Sequence, residues 1–129
     1  MKIDVNRVLI SGLVTKKPEN FSKDPSKQWW NIPIEVKDVR GPERIPVSQT
    51  ISISVFDPTK SALIQSLNVG DTILVEGKLN VSTMKTQNGS DRLVVKVVNS
   101  LNHVLELLVK NDNPNSGSTD DISDDYLPY

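Results

Sequence analysis

The last ten residues combine negative charge with an apolar tip. Four aspartates precede Tyr126-Leu127-Pro128-Tyr129 at the end of the sequence. Residues 111–119 contain no aliphatic or aromatic side chain, so burial cannot offset the entropy cost of ordering their backbone. The sequence therefore predicts that residues 111–129 form a disordered linker and an acidic tail with an exposed apolar tip.

The tip suits recognition by a protein partner that has a small apolar pocket. Arg or Lys side chains around such a pocket would bind the carboxylates, while the proline and the terminal ring fill it. The other interpretation is a frayed end that only adds solubility. We assign partner binding to Asp124, Asp125, Tyr126, Leu127, Pro128 and Tyr129.

Charge separates this tail from the rest of the chain. All 15 Lys and Arg lie at or before Lys110, together with 11 of the 16 Asp and Glu, so residues 1–110 carry a formal charge of +4 and residues 111–129 carry −5. A basic body with an acidic appendage is typical of proteins that bind polyanions or use an interaction tail. Residues 1–110 have the size of one domain.

The sequence lacks the residue sets that catalysis or metal binding requires. It has no Cys, His103 is the only His, and no phosphate-cradling glycine loop is present. The apolar neighbours of His103 favour a packing or interface role. We predict a protein that is not an enzyme and needs no cofactor or metal. With no apolar signal core and no run near the roughly 20 apolar residues of a membrane span, it is expected to be soluble and cytoplasmic.

Apolar residues recur at every second position through most of the body, which is the period of a β-strand. Strands are predicted at residues 5–14, 29–37, 47–56, 72–86 and 91–99. Gly12 interrupts the first strand and would permit a bulge or a tight barrel bend. In the second strand, parity puts Trp30 in the core and Trp29 on the polar face. Phe56 ends the third strand on a face of small polar residues.

The connections complete the predicted fold. Asp57-Pro58 begins the one convincing helix, because Asp is a good N-cap and Pro suits the first helical position. Asn88-Gly89 predicts a hairpin between the last two strands. Residues 38–48 are interpreted as a flexible basic loop, and residues 101–109 suit either a strand or a short helix. The order predicts an all-β fold, a five-stranded OB-fold Greek-key barrel with one short helix.

Several segments, in this order, resemble the bacterial-type single-stranded-DNA-binding protein family. They are Val5-Asn6-Arg7-Val8-Leu9-Ile10-Ser11-Gly12-Leu13, Val55-Phe56-Asp57, Leu67-Asn68-Val69-Gly70-Asp71 with the strand that follows, the hairpin around Asn88-Gly89, and the acidic tail. The resemblance covers nearly the whole chain. It implies sequence-independent binding and protection of single-stranded DNA in replication, recombination and repair. It also implies a tail that recruits partner enzymes, a homotetramer and association with the nucleoid.

The resemblance implies a binding surface of aromatic side chains, on which bases stack, with Lys and Arg between them for the phosphates. Here the aromatic expected near Thr50 is missing, and Arg40 stands at a position that is often aromatic. Trp29 is the candidate replacement, or else a subunit contact or a cover for the barrel edge. Phe21 is either an additional platform or, in our preferred interpretation, a loop anchor packed into the barrel. The predicted DNA-binding residues are Trp29, Lys37, Arg40, Arg44, Phe56, Lys78, Met84, Lys85 and Arg92.

The reduced number of aromatics leaves a second hypothesis open. The same barrel could be an interaction or assembly module, such as a primosome-type accessory or an auxiliary paralogue, with weak nucleic-acid binding. The aromatic count favours this second hypothesis, and the tail favours the first. In either case we predict oligomerisation through the edge of the first strand, residues 6–13, because unpaired backbone groups at a strand edge need a partner.

Overall fold

The computed structural model describes residues 2–24 and 27–111, and its strands form a closed β-barrel. Five strands close it in the order β1-β3-β4-β6-β5, because β5 returns to pair with β1. Four neighbouring pairs of the barrel are antiparallel, and β4 and β6 are parallel. This confirms the predicted five-stranded OB-fold barrel. The strands are β1 (Val8–Val14), β2 (Glu19–Asn20), β3 (Trp30–Arg40), β4 (Ile45–Val55), β5 (Thr72–Lys85), β6 (Asp91–Asn99) and β7 (Leu105–Val109).

The core is formed by the side chains at every second position of the strands, which point into the barrel. Trp30, Ile32 and Ile34 of β3 point inward. They lie opposite Val55, Ile53 and Ile51 of β4, so both strands contribute to one apolar face. Trp30 is 7% exposed, which confirms its predicted place in the core. Its indole N–H donates to the hydroxyl of Ser61 at 3.1 Å and so attaches the helix to the barrel.

Gly12 lies where β1 changes its partner. Residues 8–13 of β1 pair with β5, and Leu13 and Val14 pair with β3. A Cβ on Gly12 would lie 2.8 Å from the carbonyl oxygen of Glu35, closer than real Cβ contacts. The missing side chain therefore allows the close approach between strands that the predicted tight barrel bend requires.

The predicted helix begins as expected but is short. Asp57 caps a single 3-10 turn, Pro58–Lys60, by accepting a 3.0 Å hydrogen bond from the backbone N–H of Thr59. The helix α1, Ser61–Ser66, continues from it. Ile64 and Leu67 are fully buried and anchor this segment on the core. No helix in the described part of the chain is long and apolar enough to cross a membrane.

Residues 101–109 contain a turn and a strand, which decides between the two predicted structures. Strand β7 pairs with the first residues of β5. Beyond it, Lys110 donates to the Asp71 carboxylate at 3.0 Å, and the backbone N–H of Asn111 donates to the same group at 2.8 Å. Asn111, assigned from the sequence to the linker, therefore contacts the barrel. The predictions for residues 112–129 lie outside the described residues.

Two β-hairpins extend from the same end of the barrel. Strands β4 and β6 run parallel, but only residues 52–55 of β4 pair with residues 96–99 of β6. The earlier residues of the two strands are therefore not paired with each other, and each strand continues into its own hairpin. The first arm, residues 36–50, ends in a turn with Arg44 in the left-handed region (φ 55°). The second arm, residues 79–95, ends in the predicted Asn-Gly turn, with Gly89 at φ 82°. The predicted loop 38–48 is wrong, because β3 reaches Arg40 and β4 starts at Ile45.

Candidate nucleic-acid interface

Three aromatic rings form a continuous stack on the outside of the barrel. The ring centroids of Phe21 and Trp29 are 4.8 Å apart, and those of Trp29 and Phe56 are 5.5 Å apart, with interplanar angles of 24° and 15°. The first distance matches the spacing of about 4.7–4.9 Å between neighbouring strands, and the second is slightly longer. The three residues, named here the ring stack, come from three adjacent segments of one sheet.

Strand register explains how the ring stack is built. Residues 19 and 20 of β2 pair with residues 31 and 30 of β3, and the backbone N–H of Phe21 donates to the carbonyl of Trp29 at 3.0 Å. On the other side, Trp30 lies opposite Val55, which brings Phe56 beside Trp29. The indole is therefore the middle ring. Phe21 and Phe56 are the outer rings, at 51% and 47% exposure.

Two sequence interpretations change with this geometry. Phe21 does not pack into the barrel as a loop anchor, since it is half exposed and its ring contact is with Trp29. Trp29 has a ring on each side, so a base can reach its edge more readily than its faces. The free faces for stacking belong to Phe21 and Phe56, and the indole supports both of them.

A shallow groove begins at the ring stack and runs toward the gap between the arms. Asn31 lies directly opposite Ser54 on the outer face, and the next row places Ser52 beside Lys96 of β6. The row of small side chains leaves open space between the rings and the second arm. The groove is lined by Phe21, Trp29, Asn31, Ser52, Ser54, Val94, Val95 and Lys96.

The same alternation sorts the predicted basic residues into two faces. Side chains two residues apart in a strand share a face, and directly opposed residues share it too. Lys37 is therefore on the face of Trp29, and Lys78 and Arg92 are on the face of Lys96. Met84, opposite Arg92, is on that outer face as well and is 57% exposed. The structure brings these four residues to the face that carries the groove.

The remaining predicted residues lie elsewhere. Arg40 and Lys85 occupy the alternate positions of their strands, so they belong to the opposite face of each arm. Arg44 is in the turn of the first arm. The ammonium of Lys37 lies 3.8 Å from the carboxylate of Glu35, and the lysine side chain is 55% exposed. Such an exposed pair is weak and exchanges readily for a phosphate.

A largely buried polar cluster around Lys60 and Asn99 holds the backbone of Phe56 in place. The N–H of Phe56 donates to the carbonyl of Asn99 at 3.0 Å. The ammonium of Lys60 donates to the Asn99 side chain at 2.7 Å and lies 3.4 Å from Asp57. It also donates to the carbonyls of Ser100 and His103, at 2.6 and 2.8 Å. The cluster joins the start of the helical segment to the end of β6.

The Asp57 carboxylate in this cluster is charged at neutral pH. Burial raises the pKa of the Asp57 carboxyl, but hydrogen bonds from the side chain and backbone of Thr59 and the nearby ammonium of Lys60 outweigh it. The pKa therefore lies below its ordinary value. The Lys60 side chain is 14% exposed, and it balances the fully buried Asp57 carboxylate and three oxygen acceptors only while every partner is present.

Comparison with known proteins identifies the family of this barrel. The model of the single-strand binding protein family matches residues 5–105. The chain belongs to the single-strand binding protein family. No curated protein matches it.

Two solved structures show the same fold. A structure titled as a complex of the Plasmodium falciparum single-strand binding protein with single-stranded DNA is similar at a TM-score of 0.74 and 17% identity, covering 84% of this chain and 98% of that one. A small single-stranded-DNA-binding protein from Streptomyces coelicolor is similar at a TM-score of 0.58 and 16% identity, covering 82% and 96%.

Apart from Phe21, which was a candidate platform, the predicted DNA-binding set omits six residues that line the groove: Asn31, Ser52, Ser54, Val94, Val95 and Lys96. In the sequence, the alternation around Asn31 and around the serines indicates a polar face but no groove. Lys96 has the parity of Val94 and Val98 in the predicted strand 91–99, and this was a usable signal. Its position beside Ser52, however, depends on the parallel pairing of β4 with β6, which no local pattern reveals.

Proposed function

We propose that this protein binds and protects single-stranded DNA without regard to sequence, using the ring stack and the basic residues of the outer face. The observation that carries the proposal is the three-ring stack at the head of an open groove. Rings with free faces stack on unpaired bases, and Lys and Arg beside them neutralise phosphates. Membership of the single-strand binding protein family supports the same function.

The wider role follows from the family and the tail. We propose that the protein acts in DNA replication, recombination and repair in the nucleoid, and that Asp124, Asp125 and residues 126–129, which lie outside the described residues, recruit partner enzymes. The proposed oligomer is a homotetramer. It is supported by β1, whose residues 8–12 pair with β5 on one side only within the described chain. An unpaired strand edge favours pairing with another copy.

The central test is a titration of labelled oligonucleotides, followed by fluorescence anisotropy at two salt concentrations. Single strands should bind with affinity that falls steeply with salt, because phosphate contacts release counterions. A duplex of the same length should bind much more weakly, since its bases are already stacked on one another. Equal affinity for the two forms would reject the stacking mechanism.

A second test removes residues 120–129. Binding to single strands should be unchanged or slightly tighter, because a local polyanion no longer competes for the basic groove. Capture of partner enzymes should be lost. Loss of DNA binding in this truncated protein would contradict the assignment of the DNA interface to the barrel.

The alternative function is an assembly module with weak nucleic-acid binding. One observation favours it: the inner face of the second arm exposes Val81 (54%), Leu93 (68%) and Val95 (47%). These residues continue the core-facing positions of β5 and β6 beyond the barrel. The two functions differ in the response to Leu93→Ser. Weakened self-association or partner binding with unchanged DNA affinity would assign this surface to assembly.

A further inference from the structure

The side chain of Asn6 binds the backbone of Leu79 at the base of the second arm. Its amide N–H donates to the Leu79 carbonyl at 3.0 Å, and its Oδ1 accepts from the Leu79 N–H at 2.9 Å. The backbone ladder between β1 and β5 ends just before this point, where Val8 pairs with Gly77. A carboxamide has a donor and an acceptor, as a peptide group does. The two hydrogen bonds, named here the Asn6 clamp, therefore continue the ladder in register.

The second arm has few other attachments to the barrel. Residues 80–85 of β5 pair with β6 only, and nearly every side chain from residue 79 to residue 95 is exposed. Apart from the backbone pairing of β5 and β6 with each other and with the end of β4, no other hydrogen bond or ion pair joins this arm to the rest of the described chain. Because packing contributes so little, the direction of the arm depends on how its base is held.

The residues that follow Asn6 keep the clamp in place. Arg7 forms an ion pair with Glu76 at 2.7 Å, and the Glu76 carboxylate, 13% exposed, also accepts from the backbone N–H of Val104 at 3.1 Å. From Val8 onward, β1 is held by its ladder with β5. The clamp lies on the β5 side of β1, so pairing of the opposite edge with another copy would leave it intact.

We propose that Asn6 is a positioning residue for DNA binding, because it fixes the direction of the second arm. Lys78 directly precedes the clamped residue, and Met84 and Arg92 lie farther along the same outer face. A cation on a fixed arm meets the phosphates of a strand that is stacked on the rings, whereas a mobile arm must first be ordered at an entropy cost. The inference rests on the proposed binding of single strands and assigns part of the affinity to a residue outside the interface.

The first test compares Asn6→Ala with Val5→Ala, whose side chain is 96% exposed and makes no clamp. In anisotropy titrations with one oligonucleotide, Asn6→Ala should bind about five-fold more weakly, on the scale of one lost hydrogen-bonded contact. Val5→Ala should bind like the wild type, and light scattering should give the same oligomer for all three proteins. Arg92→Ala is then added to each. On a mobile arm the Arg92 contact is already weakened, so this change should lower affinity by a smaller factor in Asn6→Ala than in the wild type.

A second measurement follows the arm itself. The chain has no Cys, so a nitroxide label on Gln87→Cys, in the turn of the second arm, or on Glu43→Cys, in the turn of the first, reports on one arm at a time. Asn6→Ala should make the label at position 87 more mobile and leave the label at position 43 unchanged. Asn6→Asp keeps the acceptor and loses the donor, so it should have an intermediate effect. It also tests the clamp if Asn6→Ala does not fold.

The outcomes distinguish this inference from the proposed function. Absence of binding to single strands by the wild-type protein would overturn both. Wild-type affinity and wild-type label mobility in Asn6→Ala would overturn only the positioning role. Weaker binding with unchanged mobility of the second arm, or with an undiminished effect of Arg92→Ala, would show that Asn6 does not act through the arm and would overturn that role as well.

Discussion

The ammonium of Lys60 donates a 2.7 Å hydrogen bond to the side chain of Asn99, and the backbone carbonyl of the same asparagine accepts the N–H of Phe56. Asn99 is fully buried, and its amide also donates to the carbonyls of Glu76 and Val104. An exposed ring is thus carried by backbone that a buried polar cluster holds in place. The interface and the stability of the barrel are coupled through this cluster.

Replacing Lys60 by Met should destabilise the fold. The change leaves the buried Asp57 carboxylate without its cation and three oxygen acceptors without a donor. We expect a loss of about 2–4 kcal/mol in the free energy of unfolding, measured by urea denaturation. Lys60→Arg should restore part of it. Lys23→Met, at an exposed position, serves as the control and should change stability by less than about 0.5 kcal/mol. A fully stable Lys60→Met protein would contradict the role of the cluster.

The ring stack predicts an order of effects on DNA affinity. Phe21→Ala and Phe56→Ala each remove one outer ring and should each cost about 1–3 kcal/mol of binding free energy, the usual range for a base-stacking aromatic. Trp29→Ala should cost more than either, because both outer rings lose the indole that supports them. Anisotropy titrations with one oligonucleotide measure all three, and Ile3→Ala, exposed and not in the stack, is the control. A Trp29→Ala protein that binds like wild type would show that the rings act separately.

Much of the barrel can be predicted from the sequence, because its signals are local. The alternation around Trp30 places this residue inside and Trp29 outside, and Asn88-Gly89 fixes the turn of the second arm. Asp57-Pro58 marks the start of the helical segment. Each of these depends on neighbours within a few residues.

The interface is harder to predict because it depends on pairing between distant segments. Strand β2 has only two residues, too few to show a period, so the sequence around Phe21 predicts a loop. Only the pairing of β2 with β3 shows that Phe21 lies beside Trp29. Gly41-Pro42 suggests a long loop around Arg40, whereas the strands continue to the turn. In continuous strands, the alternation of side chains determines the face of each basic residue, and it places Arg40 and Lys85 on the face opposite the groove.

That division into faces predicts different salt dependences for two residues of the second arm. Arg92→Ala removes a charge from the outer face and should reduce the slope of log affinity against log salt by about one unit. Lys85→Ala removes a charge from the other face of the same arm and should leave the slope nearly unchanged. Lys37→Ala and Arg40→Ala form the matching pair on the first arm. Equal slopes for Arg92→Ala and Lys85→Ala would mean that strands bind both faces.

Asp71 predicts a dependence of stability on pH. Burial raises the pKa of the Asp71 carboxyl, but hydrogen bonds from the backbone N–H groups of Asn68 and Asn111 and from the ammonium of Lys110 outweigh it. The pKa in the folded protein is therefore lower than its ordinary value of 3.8. Because the charged form is favoured by folding, its contribution is fully present above the ordinary pKa and is lost as the pH falls through the folded-state pKa.

Asp71→Asn tests this contribution. The variant should be less stable than the wild type at pH 7, since Lys110 and the N–H of Asn111 lose a charged acceptor. The difference in free energy of unfolding should shrink as the pH is lowered below about 4, where the wild-type carboxylate also begins to lose its advantage. Urea denaturation at a series of pH values measures it, with the exposed Asp91→Asn as control. A difference that stays constant down to the acid limit would show that Asp71 acts through packing alone and not through its charge.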